Sequence, residues 1–255
     1  MNIISYSRER IQEGLVRARS RHEGINDHIR LVFTPTRINH DNFDRACDIY
    51  SRIDPENYDT VMIVETFDRV LEKKLPMPSN KYFETPLGRV PVNDFLRNEL
   101  CDEDDDFYIH DEGYSKDMSL FQQLMILQCV CGDFSVLSIQ IADEDPAIVK
   151  ELAFALEEVM ASRNALLVFC CELDNARKQE FQKVKDIIEK DNQSGLMNYL
   201  NSGESKITGT TSFIAGVLVA DAWDLALNFL DSEYEDYRGN LLTAYADYQT
   251  VMRNV

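Results

Sequence analysis

Polar and charged side chains follow three short apolar runs of the chain, at the points where each run ends. If these runs are neighbouring parallel strands, their carboxyl ends meet at one edge of a sheet, where α/β proteins bind their ligands. The side chains that this rule places in one cleft are Thr36, Arg37, Asp68, Arg69, Glu172 and Asn175. The set is polar and mixed in charge, and it contains no nucleophile paired with a base.

Two carboxylates of this set could perform acid–base chemistry. Asp68 and Glu172 would form a paired-carboxylate site if they approached each other. The neighbouring Arg37 and Arg69 favour a simpler interpretation, in which they neutralise the carboxylates as salt bridges. His40 together with Asp68 and Glu172 would make one histidine and two carboxylates, a set close to that of non-haem iron sites. This rebuilt site is the catalytic alternative, for a metal-dependent oxidoreductase or hydrolase.

Other catalytic schemes find little support in the sequence. Cys170 and Cys171 end a predicted strand, but no histidine ends a neighbouring one to activate them. Neither a P-loop nor a G-x-G-x-x-G pattern occurs. The six scattered cysteines lack zinc-site spacing and are typical of reduced thiols in a cytoplasmic protein. We therefore predict no catalytic residue, no cofactor and no bound metal.

The charge of the chain excludes some classes of partner. It carries 26 basic and 45 acidic residues, a formal net charge of −19, which argues against nucleic acid or an anionic membrane as a partner. Residues 1–30 differ, with six arginines against four acidic residues. The most apolar long stretch, 211–230, contains two aspartates that would be costly in lipid and predicts a buried helix instead.

Short β-branched runs alternate with stretches of helical period, a pattern typical of a sheet with helices on both faces. The predicted strands are 31–34, 60–64, 136–141, 166–170 and 242–248. The predicted helices are 41–52, 92–100, 119–130, 146–162, 176–190 and 212–230. In the last helix one apolar stripe is expected to run from Ile214 to Leu225 and Phe229. We predict an N-terminal helical arm over 1–30 and one α/β domain over 31–255.

Four blocks of the chain, in unbroken order, resemble blocks of the Memo family, whose members resemble class III extradiol dioxygenases in fold. Block 31–50 shares Pro35, Ala46 and Tyr50 with the family's P-H-A-G-Y-x-Y-S-G-x-x-A-A-x-A-Y segment. Block 60–90 contains the sequence F-E-T-P-L-G, the clearest match, which is similar to the family's Y-x-T-P-L-G. The other two are 118–124, similar to H-S-x-E-M-Q-L-P, and 166–175, in the place of a strand ending in S-S-D-x-S-H. The resemblance implies a three-layer αβα sandwich with a mostly parallel central sheet.

The resemblance also implies a metal site of two histidines and a cysteine. At the three aligned positions this chain has Thr36, Asp68 and Thr208, and two further family histidines correspond to Met118 and Asn175. A threonine hydroxyl is a poor metal ligand because it is not ionised near neutral pH.

The leading hypothesis is therefore a divergent, metal-free and non-catalytic Memo-like protein that binds through the retained scaffold. Its partner would be another protein, or a small anion held by Arg37 and Arg69. A structural subunit of a homo- or hetero-oligomer is a third hypothesis.

Overall fold

The computed structural model describes residues 6–22, 29–67, 71–111, 114, 119–230 and 239–248, and within them nothing is described of the Asn175 side chain. The helices are α1 (Arg8–Arg19), α2 (Phe43–Ser51), α3 (Asp94–Glu103), α4 (Ser119–Val130), α5 (Pro146–Met160), α6 (Lys178–Glu189), α7 (Gln193–Asn201) and α8 (Thr210–Ala222). The strands of the main sheet are β1 (Ile29–Thr34), β2 (Thr60–Thr66), β7 (Ser135–Ile141), β8 (Ala165–Cys170), β9 (Leu225–Phe229) and β10 (Ala244–Tyr248). Four short strands form two smaller sheets: β3 (Leu75–Met77) with β6 (Phe107–Ile109), and β4 (Tyr82–Thr85) with β5 (Gly88–Pro91).

The main sheet has the strand order β7-β2-β8-β1-β10-β9. Strands β7, β2, β8 and β1 are parallel, and β10 lies antiparallel to both β1 and β9. Every residue of β8 is buried and almost every residue of β2 is, as expected for parallel strands that are covered on both faces. Helices α2 and α4 lie on one face and α5 and α8 on the other. The predicted three-layer αβα sandwich with a mostly parallel sheet is confirmed.

The predicted strands and the first five predicted helices are all present, with bounds that differ by three residues or fewer. Helix α5 begins as its sequence indicates: the side chain of Asp145 accepts a hydrogen bond from the Ala147 N–H, and Pro146 occupies the first turn.

The predicted helix 212–230 is wrong in its second half. Helix α8 ends at Ala222, Asp224 adopts a left-handed conformation with φ of 52°, and the next residues form the edge strand β9. Leu225 and Phe229 therefore do not continue a helical stripe. The error arose because α8 is buried nearly all round and so has no polar face to mark its end.

The F-E-T-P-L-G segment forms the hairpin of β4 and β5. The Thr85 hydroxyl accepts a hydrogen bond from the Leu87 N–H at 3.0 Å and donates one to the Gly88 carbonyl at 3.0 Å. The same hydroxyl lies 2.5 Å from Oε1 of Gln128 on α4, so its single proton is shared between the two acceptor oxygens. The clearest motif of the sequence thus shapes a turn that is attached to α4.

Helix α1 packs against α2 and α4, and its Ile11, Leu15 and Ala18 belong to the same buried core as the sheet. The predicted division at residue 30 stays a prediction. Among the described residues, no helix is both long and apolar enough to cross a membrane.

Candidate functional site

Three of the predicted site residues lie together at the carboxyl ends of β1 and β8. Strands β1 and β8 are parallel neighbours, with Thr34 opposite Cys170 at their carboxyl ends. Thr36 and Glu172 each lie two residues beyond one of these strand ends. The Thr36 hydroxyl donates a hydrogen bond to Oε2 of Glu172 at 3.3 Å. Glu172 and Thr208 then pair in an antiparallel bridge, and each N–H donates to the other's carbonyl at 2.8 Å.

Gly209 closes the space between these segments. Its φ is +75°, and a Cβ built there would lie 2.6 Å from the Cys170 carbonyl oxygen and 3.4 Å from Cγ2 of Thr36. Only a glycine allows this close approach in this backbone conformation. The backbone at 208–209 is therefore packed directly on the end of β8 and beside Thr36.

The Glu172 carboxyl is half-buried, and burial raises its pKa above the ordinary value. Asp174 raises the pKa further by repulsion. Hydrogen bonds from Thr36 and Asn42 and the charge of Arg37 act in the opposite direction. The net shift is upward, so this position favours a neutral carboxyl more than a solvent-exposed glutamate would.

Replacing Thr36 by valine is expected to raise the pKa of Glu172 further, because the charged carboxylate loses a hydrogen-bond donor. The carboxyl carbon of Glu172, followed by ¹³C NMR during a pH titration, measures the shift. Thr85→Val is a suitable control, since it removes a threonine hydroxyl from the β4–β5 hairpin, which contains no part of this site. A pKa of Glu172 that is the same in the Thr36→Val variant and the parent would contradict the role given to Thr36.

The other predicted site residues are either exposed or lie outside the described residues. Arg37 and His40 are exposed, and the His40 ring lies edge-on to the ring of Tyr6 with centroids 6.2 Å apart. Asp68, Arg69 and Met118 lie outside the described residues, as does the Asn175 side chain. The predicted salt bridges and the site around His40, Asp68 and Glu172 therefore stay predictions.

Two adjacent glutamines on α4 hold the loop that carries Thr36. The Gln123 amide donates to the Pro35 carbonyl at 2.8 Å and accepts from the Tyr50 hydroxyl at 2.8 Å. Gln122 exchanges two hydrogen bonds with the backbone of Ile38, at 2.8 and 2.7 Å. Sequence reasoning missed both positioning residues, although two neighbouring amides within an apolar helix were a visible signal.

Glu65 is the second feature that sequence reasoning missed. It lies within β2, is only 6% exposed, and accepts a hydrogen bond from the Leu120 N–H in the first turn of α4. Its other oxygen, Oε2, is buried without a hydrogen-bond partner among the described residues. Burial raises the pKa of Glu65 from 4.5 to about 8. The signal was a lone carboxylate inside an apolar run, directly after the predicted strand 60–64.

A family model described as Memo-like protein matches residues 42–220, well over half of the chain. The chain belongs to the Memo-like family. A MEMO1 family protein of Thermotoga neapolitana is 35% identical over 138 residues, which cover 50% of this chain and 48% of that protein. A MEMO1 family protein of Nitrosopumilus maritimus is 26% identical over 142 residues, 55% of this chain and 52% of that protein. The chain thus spans about half the length of the curated relatives it matches.

A solved structure supports the fold of this Memo-like chain. The crystal structure of an uncharacterized protein from Escherichia coli K12 superposes with a TM-score of 0.54 and covers 86% of this chain and 98% of its own. At 11% sequence identity the likeness concerns the fold alone.

The described residues at the strand ends do not fit the metal that the family resemblance implies. Thr36 uses its hydroxyl proton for Glu172, and the backbone of Thr208 is paired with the same residue. In the part of the chain that is described, three carboxylate, histidine or cysteine ligand atoms converge at one place only, formed by Asp104, Asp106 and Glu151.

Proposed function

We propose that this chain is a metal-free, non-catalytic member of the Memo-like family, which uses the cleft at the ends of β1 and β8 to bind another protein or a small anion. The observation that carries the proposal is the pairing of Thr36 and Thr208 with Glu172. Two of the three positions aligned with family metal ligands hold uncharged residues that are engaged with the protein itself.

Arg37 is the cation beside this cleft that would bind an anion. Arg37 is exposed beside Glu172, and its charge acts on that carboxyl. A phosphate, a carboxylate or an acidic side chain of a partner protein has the chemistry that Arg37 recognises.

The cysteines support a cytoplasmic location for this function. All six are free thiols: Cys47, Cys131, Cys170 and Cys171 are buried, and the other two are partly buried. Burial raises the pKa of the Cys47 and Cys131 thiols to about 12, so these groups stay protonated and unreactive. Unpaired thiols of this kind are typical of a reducing compartment.

Metal analysis tests the proposal directly. After anaerobic incubation of the untagged chain with iron, copper or zinc, followed by desalting, we expect inductively coupled plasma mass spectrometry to find metal far below one ion per chain. The matched variant carries Thr36→His, Asp68→His and Thr208→Cys together, which supplies imidazole and thiolate donors. We expect that variant to retain more metal than the parent.

The opposite result has a defined meaning. Metal near one ion per chain in the parent, lost on Asp68→Ala, would overturn the proposal. It would favour the catalytic alternative, a metal-dependent oxidoreductase or hydrolase with a site rebuilt around His40, Asp68 and Glu172.

A further inference from the structure

A second cleft lies where α6, α7, α8 and the edge strand β9 meet. Its volume is about 290 Å³, just below the roughly 300–1,000 Å³ that is typical of sites for drug-sized ligands, so it suits a smaller molecule. The last turn of α6, the start of α7, the second half of α8 and strand β9 form its walls. It shares no lining residue with the cleft of Thr36, Glu172 and Thr208.

Aliphatic side chains form the apolar surface of this cleft. The large ones that line it are Ile188, Leu196, Val217, Leu218, Leu225 and Leu227. Three of them belong to the buried core, whereas Ile188, Leu218 and Leu227 are half-buried and pack against that core. An alkyl group that covered these half-buried side chains would remove further apolar surface from water.

Acidic side chains border the same cleft. Glu189, Asp191 and Asp221 line it and are all exposed, and among the described residues no lysine, arginine or histidine does so. No ion pair within the described part of the chain involves any of these three carboxylates. The Gln193 side-chain amide donates a hydrogen bond to Asp221, which orients this carboxylate without neutralising its charge.

The three acidic residues occupy positions at helix ends that are unfavourable for a negative charge. Asp221 lies in the last turn of α8 and Glu189 is the last residue of α6, and neither last turn contains a basic residue. A carboxylate there is repelled by the negative end of the helix dipole. Asp191 follows the C-cap of α6 with φ of 50°, in a left-handed position where glycine or asparagine is usual. A bound cation would compensate this accumulated negative charge.

Two positive features lie near these carboxylates. Lys190, the C-cap residue of α6, lines a separate surface depression together with Lys183. The N-terminus of α7 borders the cleft, and there the Asn192 side chain already accepts a hydrogen bond from the Gly195 N–H. The positive end of a helix amounts to roughly half an elementary charge, so the three carboxylates outweigh it.

We infer that this cleft binds a small aliphatic amine in its protonated, cationic form. The alkyl group packs on Leu218 and Leu227, and the ammonium group donates hydrogen bonds to the carboxylates of Glu189 and Asp221. A neutral molecule of the same shape gains only the apolar contacts, and a shorter amine gains only the charge interaction, so tight binding requires both parts.

The ligands n-pentylamine, 1-pentanol and methylamine test the inference. Pentanol keeps the alkyl chain without the charge, and methylamine keeps the charge without most of the chain. Binding to the full chain is followed by ¹H–¹³C NMR of methyl groups at about 0.15 M salt, where long-range attraction by the net charge is screened. We expect pentylamine to bind about tenfold more tightly than either of the other two. The methyl resonances of Leu218 and Leu227 should shift during the titration.

Two variants locate the site. Asp221→Asn should weaken pentylamine binding about fivefold and leave pentanol binding unchanged. Asp224→Asn is the matched control, because Asp224 is exposed at the same end of α8 but does not line the cleft. It removes the same charge, and asparagine tolerates its left-handed φ of 52°. We expect this control to have no effect.

Three results would overturn the inference. The first is pentylamine that binds no more tightly than pentanol or methylamine, and the second is no binding of pentylamine. The third is equal weakening by Asp221→Asn and Asp224→Asn, which would mean that the net charge of the chain attracts the amine and this cleft does not.

Discussion

Replacing Glu65 by glutamine is expected to stabilise the chain at neutral and alkaline pH while leaving its stability near pH 4.5 almost unchanged. Glutamine has nearly the shape of the protonated carboxyl and can still accept the hydrogen bond from the Leu120 N–H. It cannot ionise, so the variant avoids the cost of a buried charge. At pH 7 the gain in the free energy of unfolding is about 3 kcal/mol.

The direction follows from the two pKa values of Glu65. In the folded chain the carboxyl holds its proton up to a pH of about 8, whereas in the unfolded chain it releases the proton near pH 4.5. Between pH 4.5 and pH 8 the carboxyl is ionised in the unfolded chain and protonated in the folded chain. Ionisation therefore lowers the free energy of the unfolded state only. The destabilisation is therefore absent below pH 4.5, grows as the pH rises, and is complete above pH 8.

Urea unfolding at pH 4.5, 7 and 8.5 measures the effect. The control is Glu84→Gln, because Glu84 is a surface carboxylate, 64% exposed, in an ion pair with Arg89. We expect that control to change the stability by less than about 1 kcal/mol at every pH. The burial and raised pKa of Glu65 would be refuted if Glu65→Gln changed the free energy of unfolding by the same amount as Glu84→Gln, both at pH 4.5 and at pH 8.5.

Glu65 also shows why the end of β2 could not be predicted from the sequence. The run 60–64 was correctly predicted as a strand, because uninterrupted β-branched and apolar residues suit a strand buried on both faces. The predicted strand ended before Glu65, since a carboxylate is rarely buried. In the structure the strand continues to Thr66, and the start of α4 supplies the hydrogen bond that makes burial of Glu65 feasible. That contact joins residues far apart in sequence, which local periodicity does not encode.

The candidate site also contains both residues that could be placed from the sequence pattern and residues that could not. The closeness of Thr36 and Glu172 was expected from a general rule about the ends of parallel strands, and in the structure a hydrogen bond joins the two side chains. Thr208 was placed beside them by family resemblance alone, because its segment lies outside the sheet and reaches Glu172 through a single bridge. The edge strand β9 was missed because its pairing with β10 is set by tertiary contacts, not by its own pattern.

Replacing Gly209 by alanine is expected to lower the free energy of unfolding by about 3 kcal/mol. Part of the loss is backbone strain, because φ of +75° is unfavourable for a residue with a Cβ. The rest is steric, since the new methyl group would lie 2.6 Å from the Cys170 carbonyl oxygen, and a backbone atom cannot turn aside as a side chain can. Relief of the clash requires the bridge between Glu172 and Thr208 to move.

Gly203→Ala separates the two contributions. Gly203 has a similar φ of +64°, but a Cβ built there meets nothing within 4 Å, so this variant carries the backbone strain alone. We expect it to cost about 1 kcal/mol. Urea unfolding gives both losses, and hydrogen exchange of the Glu172 and Thr208 amides should become faster in Gly209→Ala only, because these amides form the bridge. Equal losses in the two variants, with unchanged exchange, would mean that the 208–209 backbone is not packed on the end of β8.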